Sequence, residues 1–297
     1  MKNEIIRWYS FFLYSFKTIF CYVFIDWRKL GIKKNEIVAD FGSGSRPLPR
    51  ANIIVDKFLE GLSERPTDFV DNGAYIVQCD FSKMPFKDSA IDFSYSSHTV
   101  EHLYNLNEAL KEMERVSKRG FITCPSAFRE QIMAHKMHLW FVEENCGKIY
   151  FKGKQKPYPE FIGNYFDKLI ASSKSYIWHN FERSLENEMF INYFWKDTIK
   201  YEIIQNPSDK SKVEKESEFE SCNKKSVLVD IREKMIIFSS KLIRYFSGSK
   251  INIEEILCCP ECWGGVLIDN KFVTCKKCGR KFKHKNRRIF YFLDEIV

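Results

Sequence analysis

From Glu36 onward, short apolar runs of strand length alternate with segments whose apolar residues recur at helical spacing. Ile37-Val38-Ala39-Asp40-Phe41 reads as a buried first strand. Ile53-Ile54-Val55 before Asp56, Tyr75-Ile76-Val77-Gln78 before Cys79-Asp80, and Ile91 to Ser96 read as the next three. Leu106, Leu110, Met113 and Ser117 step at helical intervals and Arg119-Gly120 closes that helix. Phe121-Ile122-Thr123-Cys124 comes next as a strand stopped by Pro125. Such alternation predicts an α/β, doubly wound sheet with helices on both faces, whose ligands gather at the carboxyl ends of its strands.

Past Phe128 the pattern loses its period among aromatics, and only Lys200-Tyr201-Glu202-Ile203-Ile204 reads as a closing strand. Asn206 to Ser226 is almost wholly polar and charged, as a solvated linker would be. Beyond it Leu228, Ile231, Met235, Phe238, Leu242 and Tyr245 recur at steps of three and four. That seam is expected to dock on the α/β domain, with a dimer seam as the alternative. The chain thus divides into an N-terminal aromatic helical segment (1–35), an α/β domain (36–205), a linker with an amphipathic helix (206–250) and a cysteine-rich module (251–297). All the predicted strands of the α/β domain precede the linker, so that domain is expected to stand without the C-terminal helix and module.

The aromatic run from Trp8 to Ile25 carries Lys17 at its centre. A lysine mid-span costs about 2.5–3.5 kcal/mol on insertion scales, so a docked helix is expected ahead of a helix lying on a membrane surface, and a true span last. No stable membrane insertion is expected.

Composition sharpens this picture in two places. With 297 residues, 44% of them hydrophobic, the chain can bury one sizeable core and keep a small module besides. The net charge of +8 accompanies 39 acidic residues, so charge alone does not imply a nucleic-acid partner. Five of the ten cysteines lie between Cys258 and Cys278, which favours a metal site in a reducing, cytoplasmic setting over a disulfide framework.

Candidate chemistry begins at Asp40-Phe41-Gly42-Ser43-Gly44, where two glycines directly after a strand let backbone amides approach a ligand. Asp56, at the end of the second strand, offers a carboxylate to both hydroxyls of a ribose. Asp80 and Phe81 pair an acceptor for an exocyclic amine with an aromatic face.

Together with CDFSKMPFKDSAIDFSYSSHTVEHL, which holds Asp80, Met84-Pro85-Phe86, Asp88, Ile91-Asp92-Phe93 and Glu101-His102, these residues resemble class I S-adenosylmethionine-dependent methyltransferases of the type 11 group. The resemblance covers about Glu36 to Ser126. It implies a Rossmann-like fold in which Asp40, Gly42 and Gly44 line the methionine end of S-adenosylmethionine, Asp56 the ribose, and Asp80 and Phe81 the adenine, with Ser97 and His98 flanking the sulfonium. One departure stands out. Pro47 and Pro49 occupy the place of the family's first helix, and Pro49 should shorten or disrupt it.

Transfer to a hydroxyl or ammonium acceptor needs positioning and a base, for which His98, His135 and His138 are the candidates. His102 is read as a support for Glu101 and the adjoining helix. Cys259-Pro260-Glu261-Cys262 and Cys275-Lys276-Lys277-Cys278 give a double CxxC with the spacing of a closed, structural zinc site held by Cys259, Cys262, Cys275 and Cys278. Cys258 falls outside the two-residue spacing. The module resembles the small zinc-ribbon activators of RNA and translation-factor methyltransferases, here joined in cis. Lys271 to Arg288 holds nine basic residues and no acidic one, so RNA contact and a solvated basic face are both open. The functions expected are, in order, methylation of an oxygen or nitrogen on a small molecule, sugar or lipid-linked glycan; RNA methylation; and an inactive cofactor-binding scaffold.

Overall fold

The computed structural model describes residues 26–59, 69–135, 137–155, 175–208, 227–248 and 251–296. The Trp8–Ile25 segment and most of the polar linker lie outside the described residues.

Five parallel strands form the centre of the main sheet: β1 (Val38–Phe41), β2 (Ile53–Asp56), β3 (Tyr75–Gln78), β4 (Phe93–Ser97) and β5 (Arg119–Pro125). They lie side by side in the order β3-β2-β1-β4-β5. Every residue of β1 and β2 is buried, as continuous apolar runs of a sheet covered on both faces should be. Helix α1 (Leu106–Val116) joins β4 to β5 and buries Leu106, Leu110, Met113 and Val116. Helix α2 (Ala127–Met133) comes after β5, its Ser126 cap accepting from the Arg129 amide.

The aromatic stretch that defeats pattern reading supplies β6 (Trp140–Asn145), β7 (Lys148–Gly153) and β8 (Phe190–Lys196), with helices α3 (Ser175–Ser184) and α4 (Glu186–Met189) before the last. The expected closing strand is β9 (Tyr201–Gln205). It joins β6 and β7 in a separate three-stranded sheet, while β8 runs antiparallel along β5.

No helix lies between β1 and β2, in keeping with the two prolines. Arg50, fully buried, ties that connection down by donating to the carbonyls of Lys33 and Glu36 and to Asn52. Leu48 and Ala51 then cover β1 together with Leu30 and Phe121.

Helix α5 (Val227–Ser247) docks by its C-terminal half, where Arg244 donates to the carbonyls of Ala51 and Asn72. The seam expected to dock is not the one that does. Phe238, Leu242 and Tyr245 are exposed, and the buried face is Ile236, Ser239, Ser240 and Ser247. Small serines let the helix backbone come close to its neighbours, which bulky residues there would prevent.

After a short helix α6 (Ile253–Ile256), strands β10 (Val266–Ile268), β11 (Phe272–Cys275), β12 (Lys281–Lys285) and β13 (Ile289–Ile296) form an antiparallel meander. Its last strand pairs in parallel with β3 through Ile289↔Ile76, Phe290↔Val77 and Tyr291↔Gln78. The result is one ten-stranded mixed sheet in which the cysteine-rich module continues the α/β sheet. One hydrophobic core runs through both halves and includes Phe41, Ile122, Trp140, Leu257, Phe282 and Phe290.

Candidate functional site

The loop after β1 is built around two left-handed glycines, Gly42 at φ 79° and Gly44 at φ 51°. A β-carbon on Gly42 would stand 2.3 Å from Thr99 Oγ1, so that residue's smallness serves contact with the turn after β4. Thr99 fixes this contact by donating to the Phe41 carbonyl at 3.0 Å. Asp40 is buried beneath the loop and accepts from the Leu48 amide at 2.6 Å. Burial pushes its carboxyl up to about 8, against the pull of that amide and with the help of Asp56. The Ser43 hydroxyl is buried in the same loop and has no hydrogen-bond partner among the described residues.

Asp56 ends β2, nearly buried, and accepts from the Gly44 amide at 3.2 Å and the Phe58 amide at 2.9 Å. These bonds fix its carboxylate against the loop after β1. Asp80 pairs with Lys57 at 2.8 Å and also accepts from the amide and hydroxyl of Ser82. Phe81 is buried against Phe41, with ring centroids 6.0 Å apart. The Met84-Pro85-Phe86 turn has a structural job. Met84 and Phe86 are buried, their carbonyls accept from Arg115, and the Met84 amide donates to Glu112.

The other wall of the site comes from the ends of β4 and β5. Ser97 is half-buried at the end of β4. His98 comes next with φ 53°, a conformation disfavoured for a residue with a β-carbon and kept where the surroundings demand it. Its amide donates to the Thr123 carbonyl and its ring packs edge-on against Phe190. His98 Nδ1 lies 3.3 Å from Glu101 Oε1. Glu101 is buried in the single turn Val100–His102, and neither carboxylate oxygen makes a well-aligned hydrogen bond among the described residues. Burial alone would raise its pKa, but His98, His102 and His138 outweigh it and hold the carboxyl at about 2.

Sequence reading named His138 without its surroundings. The left-handed residue Ala134, φ 48°, ends α2 and turns the chain back over it. His138 is thereby buried with Nδ1 at 2.5 Å from Glu130 Oε2. Burial, reinforced by His102, drives the His138 pKa well below the ordinary histidine value. Glu130 is itself held by Lys154 and by the His135 amide. The ring of His135 stacks on that of His138 at 4.4 Å. His102 sets its Nδ1 against the Met137 carbonyl at 3.2 Å. Glu130 and Lys154 carry no signal in the sequence, because only the fold brings them beside the histidines.

The module's four cysteines, Cys259, Cys262, Cys275 and Cys278, also meet. Sulfur–sulfur distances are 3.8 Å for Cys259–Cys278 and 3.4 Å for Cys262–Cys275. A tetrahedron of thiolates at ~2.3 Å from zinc has edges of about 3.8 Å, so the spacing fits that ion. The amides of Lys277 and Cys278 aim at Cys275 Sγ, and a β-carbon on Gly264 would crowd two of the sulfurs. Cys258 stays outside, its amide donating to Pro85.

Residues 54–123 match the family model described as "Methyltransferase domain". These residues span β2 to β5 and include Asp56, Asp80, the Met-Pro-Phe turn and the Glu101 turn, while Asp40 and the Gly42–Gly44 loop precede them. The matched residues form a methyltransferase domain. Its fold is the Rossmann-like α/β sheet that the resemblance implies. Among curated proteins, the chain is similar to sterol 4-C-methyltransferase strm-1 of Caenorhabditis elegans, 36% identical over an 88-residue alignment that covers 28% of this chain and 24% of that protein. The match thus spans about a quarter of that relative's length. Similar solved structures include the YcgJ protein of Bacillus subtilis, with 18% identity, 36% of this chain and 53% of that one covered, and a TM-score of 0.29. Another is a chain in the complex of the Haloferax volcanii Trm112 methyltransferase activator with a methyltransferase, at 16% identity, 39% and 66% coverage and a TM-score of 0.30.

Proposed function

We propose that the chain transfers a methyl group from S-adenosylmethionine to an oxygen or nitrogen of a small molecule, sugar or lipid-linked glycan. The observation that carries this reading is the meeting, at the carboxyl ends of β1, β2 and β4, of the Gly42–Gly44 loop, Asp40, Asp56 and His98. The buried Ser43 hydroxyl, without a partner among the described residues, is what a loop awaiting a polar ligand would show. In this reading Asp40, Gly42 and Gly44 hold the methionine end, Asp56 the ribose, Asp80 and Phe81 the adenine, and Ser97 the neighbourhood of the sulfonium. S-adenosylmethionine supplies an electrophilic methyl on sulfur. His98, exposed beside ionised Glu101, is then the best placed of the three candidate histidines to take the acceptor's proton. His135 and His138 act as its supporting wall, since His138 is committed to Glu130.

The four cysteines are assigned to one structural zinc ion, which would tie the two CxxC loops together. A second reading, with RNA as the acceptor, is favoured by Lys281, Lys283 and Lys285, which alternate along the exposed face of β12. Against it, Arg288 is committed to Asp71 and the Ala74 carbonyl, and Arg287 to the Ile268 carbonyl.

Calorimetry with S-adenosylhomocysteine tests the leading reading. Micromolar binding is expected for the parent chain and at least tenfold weaker binding for Asp56→Ala. A parent that binds neither this compound nor S-adenosylmethionine at millimolar concentration overturns it. Neutralising Lys281, Lys283 and Lys285 should leave methylation of small acceptors intact, and loss of RNA retention on that change alone would bring the second reading forward.

A further inference from the structure

We propose that Glu101, His102 and His138 form a site for a divalent transition-metal ion, separate from the four cysteines and beside the methyltransferase pocket. One ligand atom from each of the three lies within 4.8 Å of the others. Glu101 is 1% exposed, and both of its oxygens lack a hydrogen-bond partner among the described residues. A carboxylate buried with no close polar neighbour beyond the ring of His98, 3.3 Å from Oε1, and the two candidate ligand histidines is costly unless a cation sits against it. The chain places no lysine or arginine contact on this carboxylate among the described residues.

Each of the two imidazoles has one ring nitrogen already engaged. His102 turns Nδ1 to the Met137 carbonyl, and His138 turns Nδ1 to the Glu130 carboxylate. With Nδ1 donating in both rings, the free lone pair of each is on Nε2. A metal-ligating histidine characteristically gives its other ring N–H to a carbonyl or carboxylate in this way, which fixes the tautomer and raises the basicity of the ligand nitrogen. Glu130 is held in turn by Lys154 and the His135 amide, so the second layer of the site is itself fixed.

Two imidazoles and one carboxylate suit Zn²⁺, Fe²⁺, Co²⁺ or Mn²⁺ and disfavour Ca²⁺ and Mg²⁺, which prefer all-oxygen cages. Three protein ligands leave coordination positions open, as in catalytic rather than structural sites. The exposed His98 at 3.3 Å from Glu101 marks the side of the cluster that faces solvent, at the carboxyl end of β4. An oxygen of the methyl acceptor is the ligand that this position would take. That last point rests on the proposed function, and the metal site does not.

The test is a Co²⁺ titration of the full chain carrying one equivalent of zinc, which the four thiolates take first, followed by calorimetry and visible absorption. One Co²⁺ per chain is expected, with the weak visible bands of nitrogen and oxygen ligation and no thiolate charge-transfer band in the near ultraviolet. Glu101→Gln and His138→Ala should lose it. Glu130→Gln should weaken it about 10–100-fold, because it removes only the carboxylate behind His138. Cys275→Ser should keep it. Binding accompanied by the thiolate band alone overturns the proposal, as does parent-like binding by Glu101→Gln. Thermal melts guard against misfolded variants: Co²⁺ must raise the midpoint of the parent, and no rise there counts against the site whatever the variants do. S-adenosylhomocysteine binding is measured on the same samples. Co²⁺ uptake without it would sink the methyltransferase reading and leave the metal site standing, and the reverse pattern would do the opposite.

Discussion

Asp40 shows what one buried acid can do. Its folded pKa, about 8, lies above the ordinary carboxylate value of 3.8, so the folded chain holds a proton that the unfolded chain releases between those values. The stability contributed by that proton is complete below about pH 4 and is lost as pH rises through 8. Denaturant melts at pH 5, 7 and 9 should therefore show a falling stability, and Asp40→Asn should flatten the fall. If Asp40 meets the cofactor's ammonium, binding at pH 7 should also release a proton, seen as a calorimetric heat that varies with the ionisation enthalpy of the buffer. The positions of Asp40, Asp56 and Asp80 at or just beyond strand ends are legible in sequence because each closes an apolar run of strand length. That of Glu130 is not. The turn that brings His138 back to it depends on Ala134 in a left-handed conformation, where glycine or asparagine would have left a mark in the sequence.

For whole elements, the pattern that located the parallel strands also found helix α5, but it chose the wrong face. Periodicity reports an apolar stripe, whereas the docked face is set by which side chains let the backbone approach. Because Phe238 and Tyr245 are exposed, Phe238→Ser and Tyr245→Ser should each change stability by no more than about 0.5 kcal/mol. Ser240→Leu, which overfills a buried contact, should cost about 1–3 kcal/mol. Urea titrations of the three variants decide it, and a Phe238→Ser loss well above that of Ser240→Leu would show that the outer face is covered in the folded chain. Strands β6 to β8 escaped detection because aromatic residues alternate only loosely along them, while β8 finds its partner β5 far away in the chain.

At the scale of the whole molecule, the fold joins what composition separates. The double CxxC announced a cluster of four cysteines, but no local turn foretells a parallel pairing between β13 and β3. The expectation of an α/β domain that stands without its C-terminus changes accordingly. A 1–205 fragment would bare the edge of β3 and remove Leu257, Phe282 and Phe290 from the common core. It should be recovered as aggregate, measured as the soluble fraction after expression. Phe290→Ala in the full chain should cost about 3–5 kcal/mol as a core truncation. Cys262→Ser should lower the melting point of the entire chain in one transition, and two well-separated transitions would argue that the halves fold independently.

The Arg288–Asp71 ion pair spans 217 residues of sequence, and β13 beside it is synthesised long after the β3 it pairs with. While the chain is being made, β3 has no neighbour on that side and offers a row of unpaired amides and carbonyls. Completion of the sheet must therefore wait until the meander has left the ribosome, and closure over so long a stretch of chain is slow. During that interval a nascent chain's β3 can meet the β13 of a finished molecule, so expression level, through the concentration of such strangers, should set the yield of correctly closed protein.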